Sequence, residues 1–245
     1  MSNIKYILVI IISTIILLSC SDSNTDPKDF SLEELYKMAV NDATVVDDDE
    51  VSENLIAISD TNRYIQKKNV DGKNYILGLV LTKYRDSYPI GDTILTYWGE
   101  TWITIVPEMK DYFKKFKFVN DSVTQLRVQQ LLGIPPNPNP QYIVEIWIDS
   151  DSLFRPSPDN EINDTRAELH FPVNTPESYI TWFNNYIIHS YFPTARNAYK
   201  YPWTRLGYTY NWALGANEQG LSEFVLKKNS KAIVKFVGSP SEYLY

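Results

Sequence analysis

The sequence predicts an α+β domain: a largely antiparallel sheet with three or four helices packed on it. Three observations carry this. Strand-length apolar runs recur at residues 75–83, 94–98, 101–106, 142–149, 221–226 and 232–237, several of them joined by short turn signals. Segments with helical spacing of apolar residues fall between these runs. An aromatic fraction of 14 %, mostly from 18 Tyr, supplies rings for a core or for a stacking surface.

Taken in order, Ser31-Leu-Glu-Glu34 has the form of a capping box, in which the Ser31 hydroxyl accepts an early helix amide and Glu34 reaches back. A short helix through about Val40 follows from it. The four consecutive acids at residues 47–50 are expected to form a solvated loop rather than a calcium site, because an ion needs ligands spaced around it. Asn69-Val-Asp-Gly72 reads as a tight hairpin turn. Residues 75–83 are apolar on both faces, with Tyr75, Leu77, Leu79 and Leu81 opposite Ile76 and Val80, as a strand between two layers must be. The strands at 94–98 and 101–106 flank Gly99-Glu100, which predicts a two-residue hairpin between them.

Pro107 suits the first turn of a helix. Met109, Tyr112, Phe113 and Phe116 then share one side, with Lys110, Asp111, Lys114 and Lys115 on the other, predicting an amphipathic helix over 108–118. Asp121 can cap a further helix that ends at Leu132, with Gly133 as its stop. The prolines at 135, 136, 138 and 140 make a stiff loop before a strand at Tyr142–Asp149. From 150 to 172 the periodicity disappears, which marks a segment where function could sit. Thr175 and Pro176 open a helix carrying Tyr179, Phe183, Tyr186, Ile187 and Ser190 on one side, and Pro193 ends it. The strands at 221–226 and 232–237 read as a closing hairpin around residues 227–231.

Ahead of all this lies a leader. Lys5 and the free amine precede a 13-residue apolar run, Tyr6 to Leu18, broken only by Ser13 and Thr14. A charged start and a short apolar core form an export signal, too short for a membrane span of roughly 20 residues. Its ending, Leu17-Leu18-Ser19-Cys20, resembles the lipobox of bacterial lipoproteins. That resemblance implies that Cys20 is lipidated on sulfur, that the chain is cut before it, and that the new amino terminus is acylated. Leu18 departs slightly from the small residue usual at its position. The expected organisation is a signal peptide over 1–19, the lipidated cysteine and a flexible tether over 20–29, and one globular domain over 30–245. The eight tether residues 21–28 span about 15 Å as a flexible chain. The expected address is the bacterial cell envelope, with the lipid bilayer as partner through Cys20.

Cleavage before Cys20 leaves 226 of the 245 residues, with 22 basic against 30 acidic side chains and a net charge of −8. An acidic body argues against nucleic acid, whose phosphates demand a concentrated positive surface. Cys20 is the only cysteine, so no disulfide can form within the mature chain. No cofactor is expected.

Three groups of residues are candidates for a site. Tyr208, Tyr210 and Trp212 alternate and share a strand face, and Tyr201 and Trp203 repeat the spacing upstream, with Arg205 placed for a cation–π contact. Exposed, the row would stack on sugar rings; buried, it would be core, and burial is the expectation because aromatics are mostly covered. Seven carboxylates lie between Glu145 and Glu168. Asp159, Glu161 and Asp164 are the metal-ligand candidates among them, set against a solvated loop in which Arg155 and Arg166 pair locally. The loop is the expectation, because Leu153 follows Asp149-x-Asp151 where a calcium loop wants an oxygen. The two histidines, His170 and His189, do not form a close pair such as HExxH. Gly220-Leu-Ser222-Glu223 begins like a nucleophile elbow but lacks the last glycine and runs into a strand.

The function expected from this reading is non-catalytic binding of an envelope glycan or protein through residues 201–212 and the acidic segment. An envelope hydrolase using the carboxylates of 149–168, with His170, is the alternative.

Overall fold

The strand with two apolar faces, β2 (Lys73–Thr82), lies inside a nine-stranded sheet. The computed structural model describes residues 30–194 and 199–245; the leader, Cys20 and the tether lie outside the described residues. The other strands are β1 (Lys67–Val70), β3 (Thr93–Leu95), β4 (Thr101–Ile105), β5 (Tyr142–Asp149), β6 (Leu153–Phe154), β7 (Tyr208–Tyr210), β8 (Gln219–Leu226) and β9 (Lys231–Gly238). The helices are α1 (Leu32–Asp42), α2 (Glu108–Phe113), α3 (Asp121–Leu131), α4 (Glu177–Tyr191) and α5 (Pro240–Leu244). The strand order is β3-β9-β5-β2-β4-β8-β6, with β1 on β2 and β7 on β8, and every pairing is antiparallel. The α+β class is therefore as predicted, with five helices among the described residues. Ser31–Tyr245 fall in one compact unit, and no helix among the described residues is long and apolar enough to cross a membrane.

Local signals act where they were read. Ser31 and Glu34 close the capping box of α1, the Glu34 amide donating to Ser31 Oγ at 3.2 Å and the Ser31 amide to Glu34 Oε2 at 2.8 Å. The β1–β2 hairpin turns on Asp71 and Gly72 with φ of 51° and 79°, the two left-handed residues of a type I′ turn. Asn120 rather than Asp121 caps α3, its side chain accepting from the Val123 amide at 3.0 Å.

Two predicted hairpins are absent. β3 pairs with β9 and β4 with β2 and β8, so Gly99-Glu100 is a crossing rather than a turn. The reason is Thr96, which donates its amide to the Ser230 carbonyl and accepts from the Asn229 amide, carrying the chain away from β4. β8 and β9 likewise do not pair; β9 lies between β3 and β5, and β8 beside β4. Four strand spacings separate them, about 19 Å if the sheet were flat. The link of residues 227–230 reaches at most ~18 Å when stretched, and it is not stretched, because Asn229 turns with φ 61°. The sheet must curl to let it close. The predicted helix over 108–118 is also shorter: α2 ends at Phe113, after which Phe116 folds back to stack on Tyr112 and Phe118.

One face of the curled sheet holds Ile76, Val80, Ile103, Ile105, Ile146 and Phe224, covered by Ile56, Ile58 and Ile65 from the long connection after α1. The other face carries Leu77, Leu79 and Ile143 against Met109, Phe113, Val128 and Leu131 from α2 and α3. Beyond β4, α4 and α1 form a third, aromatic cluster with Trp203, Tyr210 and Trp212.

Candidate functional site

The aromatic row is core, as expected. Tyr208, Tyr210 and Trp212 are buried. Each polar tip is spoken for: Tyr208 donates to the Glu50 carbonyl at 2.9 Å, Tyr210 to Asp42 Oδ2 at 2.8 Å, and Trp212 Nε1 to the Ile134 carbonyl at 3.0 Å. Arg205 reaches α1 instead of this row, donating to the Ala43 and Thr44 carbonyls, and its guanidinium lies 5.4 Å from the Tyr191 ring. Tyr201, Trp203 and Tyr210 nevertheless border a cavity.

The acidic segment is not the solvated loop expected. Residues 155–159 are buried, and Arg155 is closed off from solvent completely. Its guanidinium donates to Asp164 Oδ1 at 2.7 Å and to the carbonyls of Arg166, Asp164 and Ile56. Burial pulls its pKa down while Asp164 pulls it back up. The loop winds around this cation because a buried charge without partners would cost several kcal/mol. Arg166 pairs with Glu53 and Glu168 outside. Asp159, Glu161 and Asp164 do come together, with one carboxylate oxygen of each within 4.8 Å of the others. Asp159 is itself buried; one of its oxygens accepts the Glu168 amide at 2.7 Å and the other has no partner. His170 is exposed.

The cavity lies elsewhere, where the sheet divides. β2 is zipped to β5 over eight residue pairs and β4 to β8 over four, yet β2 and β4 pair only at Gly78–Ile105 and Leu79–Thr104. Beyond them the two strands part. A cavity of about 710 Å³ occupies the fork, bordered by the ends of β2 and β4, by α4 and by the residues after α3. Its opening carries rings in solvent: Tyr84, Tyr97 and Trp98 line it and are 62 %, 71 % and 44 % exposed. Trp98 is held by its Nε1 donating to Thr101 Oγ1 at 3.2 Å and by an edge contact with Tyr88. Inside, Trp102 packs on Trp203 and Tyr186 at centroid distances of 5.8 and 5.7 Å. His189 stands exposed beside Tyr186.

Thr104 and Glu223 meet at the inner end, opposite each other across β4 and β8 and on the same sheet face as Trp102 and Leu79. Neither Thr104 Oγ1 nor Trp203 Nε1 has a hydrogen-bond partner, although both residues are buried. Burial pushes the Glu223 carboxyl up to about 8, because nothing charged stands near enough to hold it ionised. At neutral pH it is a neutral acid and can donate a hydrogen bond. The site thus combines rings at its mouth with a carboxylic acid within, and an uncommitted hydroxyl and an indole N–H lie buried in its wall. Such a set is suited to a ligand that is flat on one side and polar along its edge.

Compared with known proteins, the chain matches no family model, no curated protein and no solved structure. Sequence reasoning found Tyr201, Trp203 and Tyr210 but missed Tyr84, Tyr97, Trp98, Trp102, Thr104 and Glu223. One signal was present: Glu223 interrupts the alternation of β8 between the apolar Leu221 and Val225.

Proposed function

We propose that this is a lipid-anchored protein of the cell envelope that binds a glycan in the fork between β2 and β4. The observation that supports it is the exposed ring set Tyr84, Tyr97 and Trp98 at the mouth of a cavity whose inner wall holds unpartnered polar groups. A pyranose offers what such a wall lacks: a C–H face that packs on aromatic rings, and hydroxyls along its edge for Thr104, Trp203 and Glu223. The volume falls in the usual range for a small-ligand site, about 300–1,000 Å³.

The test is titration calorimetry of the full-length protein in detergent micelles against soluble oligosaccharides. Tyr97→Ala should weaken binding while leaving the melting temperature near that of the wild type, because its ring stands in solvent; Trp98→Ala should weaken binding too, with some loss of stability from the broken Thr101 bond and Tyr88 contact. Binding that survives both changes would overturn the proposal. The anchor is tested by fatty-acid labelling, which Cys20→Ala should abolish.

A second reading is hydrolysis, favoured by the raised Glu223 carboxyl, which suits a general acid. Glu100 is the other carboxylate that lines the cavity; none of the acids between 149 and 168 does. Slow release of reducing ends, lost in Glu223→Gln, would establish it over simple binding.

A further inference from the structure

The fork is an interrupted ladder, and what it leaves open has a definite hydrogen-bonding pattern. The Val106 amide donates to the Leu77 carbonyl at 3.0 Å. That bond sets the alternation: Leu77, Leu79 and Leu81 direct their amides and carbonyls to the β2 edge that β4 joins, the Leu77 amide itself going to the Gln66 carbonyl at 3.0 Å, while Val106, Thr104 and Trp102 direct theirs toward β2. Leu79 meets Thr104, but the next pair of the same alternation, Leu81 and Trp102, is not formed. Both residues line the cavity. The other edges of their strands are already zipped to β5 and β8. The reciprocal pair of bonds that Leu81 and Trp102 would exchange is therefore missing at the point where both border the cavity. Both residues are half-buried, and backbone groups left in this way are satisfied by protein, water or ligand.

We infer that the ligand seats a secondary amide, the N-acetyl group of an amino sugar, between Leu81 and Trp102. This rests on the glycan reading above. A trans amide presents a donor and an acceptor pointing in opposite directions, as a peptide unit does within a sheet, so it can accept from one strand and donate to the other. A plain hydroxyl has no such fixed opposed pair. The methyl group of the acetyl then lies against the Trp102 and Trp203 rings, and the sugar ring extends toward Tyr97 and Trp98 at the mouth. Thr104 and Glu223, one pair deeper, are left for hydroxyls of the same sugar.

Three matched disaccharides separate this from the parent proposal: chitobiose, its de-N-acetylated counterpart, and cellobiose, each titrated into the full-length protein in micelles. Chitobiose should bind at least about tenfold more tightly than either, since a site built to pair a polar group rejects the analogue that lacks it. Hydrogen exchange should show the Leu81 and Trp102 amides slowed by chitobiose and not by cellobiose. Equal affinity for chitobiose and cellobiose would overturn the amide while leaving glycan binding intact. Binding of none of the three would bring down the parent reading. An N-acetylated trialanine amide that binds as tightly as chitobiose, protecting the same two amides, would overturn the sugar and make the partner a peptide.

Discussion

The stem of Arg155 occupies the space that a side chain on Gly207 would need: a Cβ there would stand 2.6 Å from Arg155 Cδ and 2.9 Å from Cγ. Gly207 also has φ 71°, so both its backbone and its surroundings exclude other residues. Gly215 has the same backbone, φ 72°, but open space around it. Gly215→Ala should cost about 1–2 kcal/mol for the left-handed conformation alone. Gly207→Ala should cost a further 1–3 kcal/mol for the collision. Equal urea midpoints for the two variants would show that the Arg155 stem gives way.

Trp212 joins α1 to the segment after α3, with its ring 5.5 Å from Tyr36 and its indole N–H on the Ile134 carbonyl. Trp212→Ala should cost about 3–5 kcal/mol, the range for emptying a buried ring. Tyr210→Phe removes only the hydroxyl bonded to Asp42 and should cost about 1 kcal/mol. Denaturation curves that leave Trp212→Ala at the wild-type midpoint would place this row at the surface.

Glu223 makes stability fall with pH. Its carboxyl titrates near 8 in the folded chain and near the ordinary 4.5 when unfolded. Between these values the folded state holds a proton that the unfolded state has lost, so stability declines from about pH 4.5 up to pH 8 and levels off above. Glu108, pushed up to about 7 by burial against the opposing Ser222 bonds, adds to the decline over a narrower range. Glu223→Gln should remove its share, stabilising the protein at pH 8 by an amount on the order of a few kcal/mol. It should change little at pH 4. Melting curves across this range check the sign, which would be reversed if Glu223 were held ionised.

Asp159, Glu161 and Asp164 gather around Arg155, whose guanidinium already supplies the positive charge such a group would recruit. Millimolar Ca²⁺ should therefore leave the melting temperature where it is, because a ligand stabilises only what it binds. A rise of several degrees, lost in Asp159→Asn, would show that the three carboxylates hold an ion despite the arginine.

What could be read in the sequence was what neighbours in the chain decide. Ser31 and Glu34 find each other three residues apart, Asp71 and Gly72 turn on their own backbone, and the two faces of β2 follow from alternation. The partner of a strand is a different matter. Gly99-Glu100 is an adequate local turn, but Thr96 had already committed its hydrogen bonds to Ser230, more than a hundred residues away. Arg155 was equally invisible, since an arginine among seven acids reads as a solvated pair until its surroundings close over it. The cavity draws on β2, β4, β8 and α4 at once, and no spacing along the chain announces such a meeting.

Two residue pairs are all that stitch β2 to β4, and this gives the sheet a mechanical character that its strand count conceals. On one side, β3, β9, β5 and β2 form a plate; on the other, β4, β8 and β6 form a second. The short stitch between them runs along the wall of the cavity. On the far side the plates are tied by Thr96 to Asn229 and Ser230 and by Lys227 to Ser152, so the ladder between them is interrupted at the cavity and held at the opposite edge.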